Sequence, residues 1–269
     1  TRGSMTNKPI ENLLEEALVH DNNSWEKCRD AKNYDMKITH IEAINDKRHV
    51  LYRKSSDDNL YEMLQCSRGI TFNKESQDLI KDVNDNQMIL QESDEVRIDE
   101  INEFFKSKEI QAGNLNTFIE IGFRVPKLLK YYRELGFEKV VGYDVVNLNV
   151  SIGKALGYDT YVQDFNNLID CTFPELEFAD LVVSYHMLEH VSRPDEAVKK
   201  IYEKMKKGSY FHVEIPVEPG VPRLRYGHLF PFHPMDMYKI LRSVGFQIIS
   251  ATNKTHTNGP HIERYICTK

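Results

Sequence analysis

Residues 113–269 predict an α/β fold built on a mostly parallel sheet with helices on both faces. Three observations carry this. Short apolar runs of strand length alternate with segments of helical periodicity. The links between them are short, and single glycines close several of the helical segments. Strands joined this way through helices favour parallel pairing with both sheet faces covered. Acids also stand at the ends of three successive apolar runs, where such sheets collect their ligands.

The elements follow in order. Thr117 to Gly122 (TFIEIG) is a buried-strand run, and Val125 to Leu135 is a helix stopped by Gly136. Lys139 to Asp144 (KVVGYD) is the second strand, Leu148 to Leu156 the second helix with Gly157 after it, and Thr160 to Gln163 a short third strand. Ala179 to His186 (ADLVVSYH) is the fourth. Arg193 to Lys207 is a strong helix: Pro194 sits near its start, acids fill its first turn, lysines its last, and Gly208 follows. Ser209 to Val217 is the fifth strand and Pro234 to Val244 a helix before Gly245. Phe246 to Ala251 and His261 to Cys267 complete seven strands.

Residues 5–112 read differently, as a largely helical extension rich in Asn, Asp, Glu and Lys, with 1–4 expected to be a cloning scar. Ile10 to Val19 and Val96 to Phe105 have helical spacing, and His49 to Tyr52 and Gly69 to Phe72 are candidate short strands. Asp82 to Asn86 opens like a calcium loop, but the sixth position lacks Gly and the twelfth is Ser93, so a solvated acidic loop is expected. An extension of this kind either caps the active site or mediates homodimerisation.

Composition narrows the function classes. The 269 residues carry a net charge of −6 and are 41% hydrophobic. Residues 1–115 hold 16 Lys+Arg against 23 Asp+Glu, and the remainder 19 against 18, so neither part is a general nucleic-acid binder. No apolar stretch reaches the length of a membrane span. Four scattered cysteines without a CxxC pair, and no basic leader into an apolar run, point to a reducing, cytoplasmic setting.

The chemistry starts at the strand ends. Glu120 and Gly122 close the first strand: the glycine lets a ligand approach the backbone, and the acid can accept a hydrogen bond from an amine. Asp144 closes the second strand about twenty residues on, the spacing of a ribose-binding acid. Asp164 with Phe165 closes the third, an acid beside an aromatic that suits adenine. No GxxxxGK[ST] phosphate loop occurs.

The stretch from Phe118 to about Ala251, roughly half the chain, resembles the class I S-adenosylmethionine-dependent methyltransferases, especially their small-molecule branch. The resemblance rests on FIEIG (118–122), VVGYD (140–144), VQDF (162–165), FADLVVSYHMLEHV (178–191), KMKKGSYFHVEIP (204–216) and YGHLFPFHPMDMYKILRSVGF (226–246). It implies a Rossmann-like seven-stranded sheet of order 3-2-1-4-5-7-6 with the last strand antiparallel. It implies S-adenosyl-L-methionine as cofactor, with Glu120 and Gly122 at the methionine part, Asp144 at the ribose, Asp164 and Phe165 at adenine, and Ser184 lining the methyl-donor site. One departure stands out: the family's second and third loop glycines are replaced by Arg124 and Pro126. This leaves a catalytically degenerate nucleoside-binding protein as one alternative and an RNA 2′-O-methyltransferase as another.

Histidines supply the remaining candidates. Methylating a hydroxyl requires removal of its proton, which a His or a metal ion can do near neutral pH. His186, His228 and His190 are the candidate catalytic residues. Ubiquinone-pathway and small-RNA methyltransferases that this segment resembles place metal ligands here as Glu-x-x-Glu-His. In this chain His186 replaces the first Glu ahead of Glu189 and His190, so no metal is the primary expectation and a divalent ion on His186, Glu189, His190 and His233 the secondary one. The expected function is O-methylation of a small hydroxylated acceptor such as a sugar or nucleotide sugar.

Overall fold

A computed structural model describes residues 37–45, 48–54, 60–67, 81–145, 147–191, 193–219, 228, 230–255 and 260–269. In the N-terminal region, strands β1 (Lys37–Asn45), β2 (Arg48–Lys54) and β3 (Leu60–Ser67) form a three-stranded antiparallel sheet. The expected strand at 49–52 lies inside β2, whereas the candidates at 10–19 and 69–72 fall outside the described residues. The expectation of a largely helical extension therefore needs correction over 37–67. The stretch is rich in β-branched and aromatic residues, Ile38, Thr39, Ile41 and Ile44 in KITHIEAIN and Val50 and Tyr52 in RHVLYRK, which suits a pleated ribbon. The stretch at 82–86 forms a π-helical turn in which Asp82 accepts from Asn86 and Gln87, so its carboxylate is spent locally.

Helix α1 (Glu92–Ser107) follows, opened by a capping box between Gln91 and Asp94. The chain then alternates through β4 (Thr117–Ile121), α2 (Lys127–Leu135), β5 (Lys139–Asp144), α3 (Asn147–Ala155), β6 (Asp159–Val162), β7 (Leu181–Tyr185), α4 (Pro194–Lys204), β8 (Tyr210–Pro216), α5 (Asp236–Val244), β9 (Gln247–Thr255) and β10 (His261–Thr268). The seven strands from β4 onward form one sheet of order β6-β5-β4-β7-β8-β10-β9. Only β10 runs antiparallel, to β8 and β9 alike. In strand-rank terms this is 3-2-1-4-5-7-6, as the resemblance implies.

Alternate residues of each strand face opposite layers. Phe118, Val140, Leu181 and Val183 pack with Ile98, Ile101, Phe104 and Phe105 of α1 and Leu128, Leu129 and Tyr132 of α2. Ile119, Val141 and Val182 face the other way, onto α4 and α5. Helix α1 thus shares the core of the sheet although it precedes residue 113. No helix among the described residues is long and apolar enough to cross a membrane.

The contact between α1 and the sheet changes character along its length. Its C-terminal half is apolar, while on one helical face Asp94 pairs with Lys127 of α2, and Arg97 and Glu100 meet charged strand residues. Glu100 accepts from Thr252 (2.8 Å), is 2.9 Å from His212 Nε2 and pairs with Arg264. Glu214 accepts from Arg97 and from Arg264, each at 2.5 Å. His212 is fully buried, and burial holds it neutral despite Glu100. A neutral ring satisfies both neighbours, with Tyr185 O–H donating to Nδ1 (2.6 Å) and Nε2–H donating to Glu100.

Burial opposes the charge on Glu100, but the bonds from His212 and Thr252 and the Arg264 charge outweigh it and bring its pKa from 4.5 to about 2. A depressed carboxyl contributes stability that is complete above about pH 4.5 and is lost as pH falls toward 2. Glu100→Gln should therefore be less stable than the native chain at pH 7 by about 2–3 kcal/mol. Urea titrations should show the gap closing between about pH 4.5 and 2.

Candidate active site

The site lies at the carboxyl ends of β4, β5, β6, β7 and β8. Glu120 closes β4 in register between Gly142 of β5 and Val183 of β7 and is buried. Gly122 follows at φ +79°, and a Cβ there would lie 2.7 Å from Met187 Cγ, so only glycine fits this turn. Its N–H donates to Tyr143 O at 2.7 Å, tying the loop to β5. Asp144 is buried at the end of β5, and its Oδ2 accepts the Arg124 N–H at 2.9 Å. Arg124 adopts φ +52°, the conformation its replaced glycine would take without strain. The loop thus keeps the glycine-loop path with an arginine in it, its side chain exposed to solvent.

Asp164 follows β6 and accepts the Asn166 N–H at 2.9 Å; burial raises its pKa against that bond. Gln163 N–H donates to Asp144 O, so the ends of β5 and β6 are joined through one backbone link. Phe165 departs from the expectation. It is 6% exposed and packs edge to face on Phe173 within the core, so the structure assigns it to packing rather than to adenine stacking. Ser184 sits beside Ile121 in register, with its Oγ buried and without a hydrogen-bond partner.

Beyond β7 the histidines separate in role. His186 stands at φ +50°, its N–H donating to Glu214 O. Its Nε2 lies 2.8 Å from Glu214 Oε1 and its Nδ1 3.5 Å from Glu189 Oε1. Burial disfavours its charge, but these two carboxylates prevail and raise its pKa to about 9. It is therefore an imidazolium at neutral pH, which removes it as a base in this arrangement. Glu189 is buried; burial opposes its charge, yet the His186 bond and the surrounding histidines keep it ionised. His190 is exposed, and its carbonyl accepts from Asn166, linking this loop to the segment after β6. His190 and His228 rings meet edge to face at 4.9 Å, and His228 Nδ1 lies 2.7 Å from Glu218 Oε2. Glu189, His190 and His228 bring one ligand atom each within 4.8 Å of one another. His186 and His233 lie outside that triad, and the His233 backbone N–H instead donates to Asp236 at the start of α5.

Arg97, Glu214 and Glu218 escaped the sequence reading. For Glu214 and Glu218 the signal is a charge inside or just beyond an otherwise apolar strand, as in YFHVEIP, which requires a buried partner elsewhere.

The sequence profile of a family described as a methyltransferase domain matches residues 91–251, from the start of α1 into β9. The chain belongs to the class I S-adenosylmethionine-dependent methyltransferases. Among solved structures, an S-adenosylmethionine-dependent methyltransferase from Mesorhizobium loti superposes with a TM-score of 0.50 at 13% identity, over 62% of this chain and 96% of that one. It shares the fold. A magnesium protoporphyrin IX methyltransferase from Synechocystis with bound S-adenosylhomocysteine gives 0.48 at 15% identity, over 74% and 96%. No curated protein matches the sequence.

The methyltransferase's own atoms fit the cofactor. Glu120 Oε2 and Ser184 Oγ are buried polar atoms on neighbouring strands that lack a protein partner, so a polar ligand there would satisfy them. Glu120 and Ser184 would meet the amino-acid and methyl-donor part, and Asp144 and Asp164 the nucleoside.

Arg124→Gly tests the altered loop. Relief of the left-handed conformation, less the added flexibility of glycine, should raise stability by about 0.5–1 kcal/mol in urea unfolding. S-adenosylhomocysteine affinity should not fall, because the N–H bond to Asp144 comes from the backbone.

Proposed function

We propose that the methyltransferase transfers a methyl group to a hydroxyl of a small acceptor such as a sugar or nucleotide sugar. The observation that carries this reading is the Glu218–His228 pair at the sheet's carboxyl end. With Nδ1 turned to a carboxylate, the basic nitrogen of His228 is Nε2, suited to taking the proton of an attacking hydroxyl. The sulfonium supplies the methyl group; the protein orients the hydroxyl and accepts its proton. His190, packed on His228, supports the ring orientation. Helix α1 supports a role of the N-terminal region in the acceptor site, since Arg97 pairs with the same Glu214 that holds His186.

A methyl-transfer assay with monosaccharides, nucleotide sugars, small amines and RNA oligonucleotides tests the reading, with the product mapped by NMR. An O-methylated sugar is the expected product; methylation of an amine or of RNA alone would sink it. His228→Ala should lower kcat by about 10²- to 10⁴-fold. Its affinity for S-adenosylhomocysteine, measured by calorimetry, should stay essentially unchanged.

A second reading rests on the Glu189, His190 and His228 triad. Two imidazoles and a carboxylate suit zinc or iron better than magnesium, and such an ion would acidify the acceptor hydroxyl. In this reading, elemental analysis of tag-free protein gives stoichiometric metal and chelation abolishes turnover. Metal-free protein with chelator-resistant activity that is lost in His228→Ala leaves the base alone.

A further inference from the structure

Glu120 combines features that a cofactor contact alone does not explain. It is 6% exposed, and its Oε2 has no hydrogen-bond partner. The charges acting on it come from three elements: Asp94 and Arg97 of α1, Lys127 of α2 and Asp144 of β5. The cations are already engaged. Lys127 Nζ lies 2.5 Å from Asp94, and Arg97 lies 2.5 Å from Glu214 and 3.6 Å from Asp94. The Tyr132 and Tyr185 hydroxyls also interact with it, both held protonated by burial. The Tyr132 hydroxyl is buried without a partner and Tyr185 is committed to His212, so neither helps an anion at Glu120.

A buried carboxylate with no dedicated cation is costly, and the group lowers that cost by keeping its proton. We propose that cofactor binding expels a proton from Glu120, whose carboxyl is neutral in the unliganded protein and becomes the carboxylate that holds the cofactor's ammonium group. The inference rests on the cofactor assignment above. Burial, reinforced by Asp94, pushes the Glu120 carboxyl well above the usual carboxylate range, in accord with this geometry. The proton passes from Glu120 to the buffer; no bond to the ligand forms. Binding should then strengthen as pH rises through the acid range, because protons compete with the ligand for the same carboxyl.

Calorimetric titration with S-adenosylhomocysteine, in buffers of different ionisation enthalpy, counts the protons released. The window is about pH 5.5 to 7, where the ligand amine keeps its own proton. The expected results are release approaching about one proton and affinity rising by up to about tenfold per pH unit. Adenosine is the second probe. It reaches the nucleoside acids but lacks the ammonium, so it should release almost none. Glu120→Gln should bind S-adenosylhomocysteine with no release and a flat pH profile. Asp94→Asn removes a repelling charge and should move the rise in affinity to lower pH, an independent readout should Glu120→Gln fail to fold. Binding without proton release overturns the inference alone, as does release that survives in Glu120→Gln. Equal release with adenosine would assign the proton to Asp164 and overturn it too. No binding of S-adenosylhomocysteine at any pH would overturn the cofactor assignment together with the inference.

Discussion

Glu214 is a fully buried carboxylate on β8, and much of the site's architecture depends on keeping it charged. Burial opposes its charge, but His186, Arg97 and Arg264 together hold it well below the usual carboxylate range. These partners come from the β7 end, from α1 and from β10. One desolvated anion thus joins the helix that precedes the sheet to the middle strands and the loop at the site. Removing one member of such a cluster leaves an uncompensated buried charge, which costs far more than loss of a surface pair.

This arrangement has consequences for the chemistry. The bond to Glu214 and the turn at φ +50° fix His186 at the strand end as a cation rather than a base. In the proposed function the proton-accepting role would fall to His228, whose acid partner Glu218 lies just beyond the same β8 strand. The strand end carries Glu214 and then Glu218, the inward acid paired with His186, Arg97 and Arg264 and the outer one with His228.

Helix α1 shows why the boundary between extension and catalytic domain is physical rather than compositional. Its lower half contributes Ile101, Phe104 and Phe105 to the core, and its upper half brings Asp94 and Arg97 beside the cofactor end. Composition changes near residue 113, but packing is continuous from α1 onward. The acidic character of the N-terminal part hides this, since three of the charges on α1, Asp94, Arg97 and Glu100, face inward and are paired.

Much of the fold was legible in the sequence because it is written in local periodicity. The seven strand runs, the glycine stops and the Pro-Asp start of α4 need no distant partner to be recognised. The strand-end acids Glu120, Asp144 and Asp164 were legible for the same reason, as their positions follow from strand length. Protonation and pairing were not. Whether His186 is a base or a cation, whether Phe165 stacks on a ligand or on Phe173, and which acid orients His228 depend on groups that meet only after the chain closes. The strand at 37–45 was missed because its isoleucines, Ile38, Ile41 and Ile44, stand three apart and do not alternate. The sequence alone determined the order of elements and the acids at their ends, because backbone periodicity is local. The tertiary structure decided which of those groups carry charge, because desolvation and pairing are properties of the packed interior.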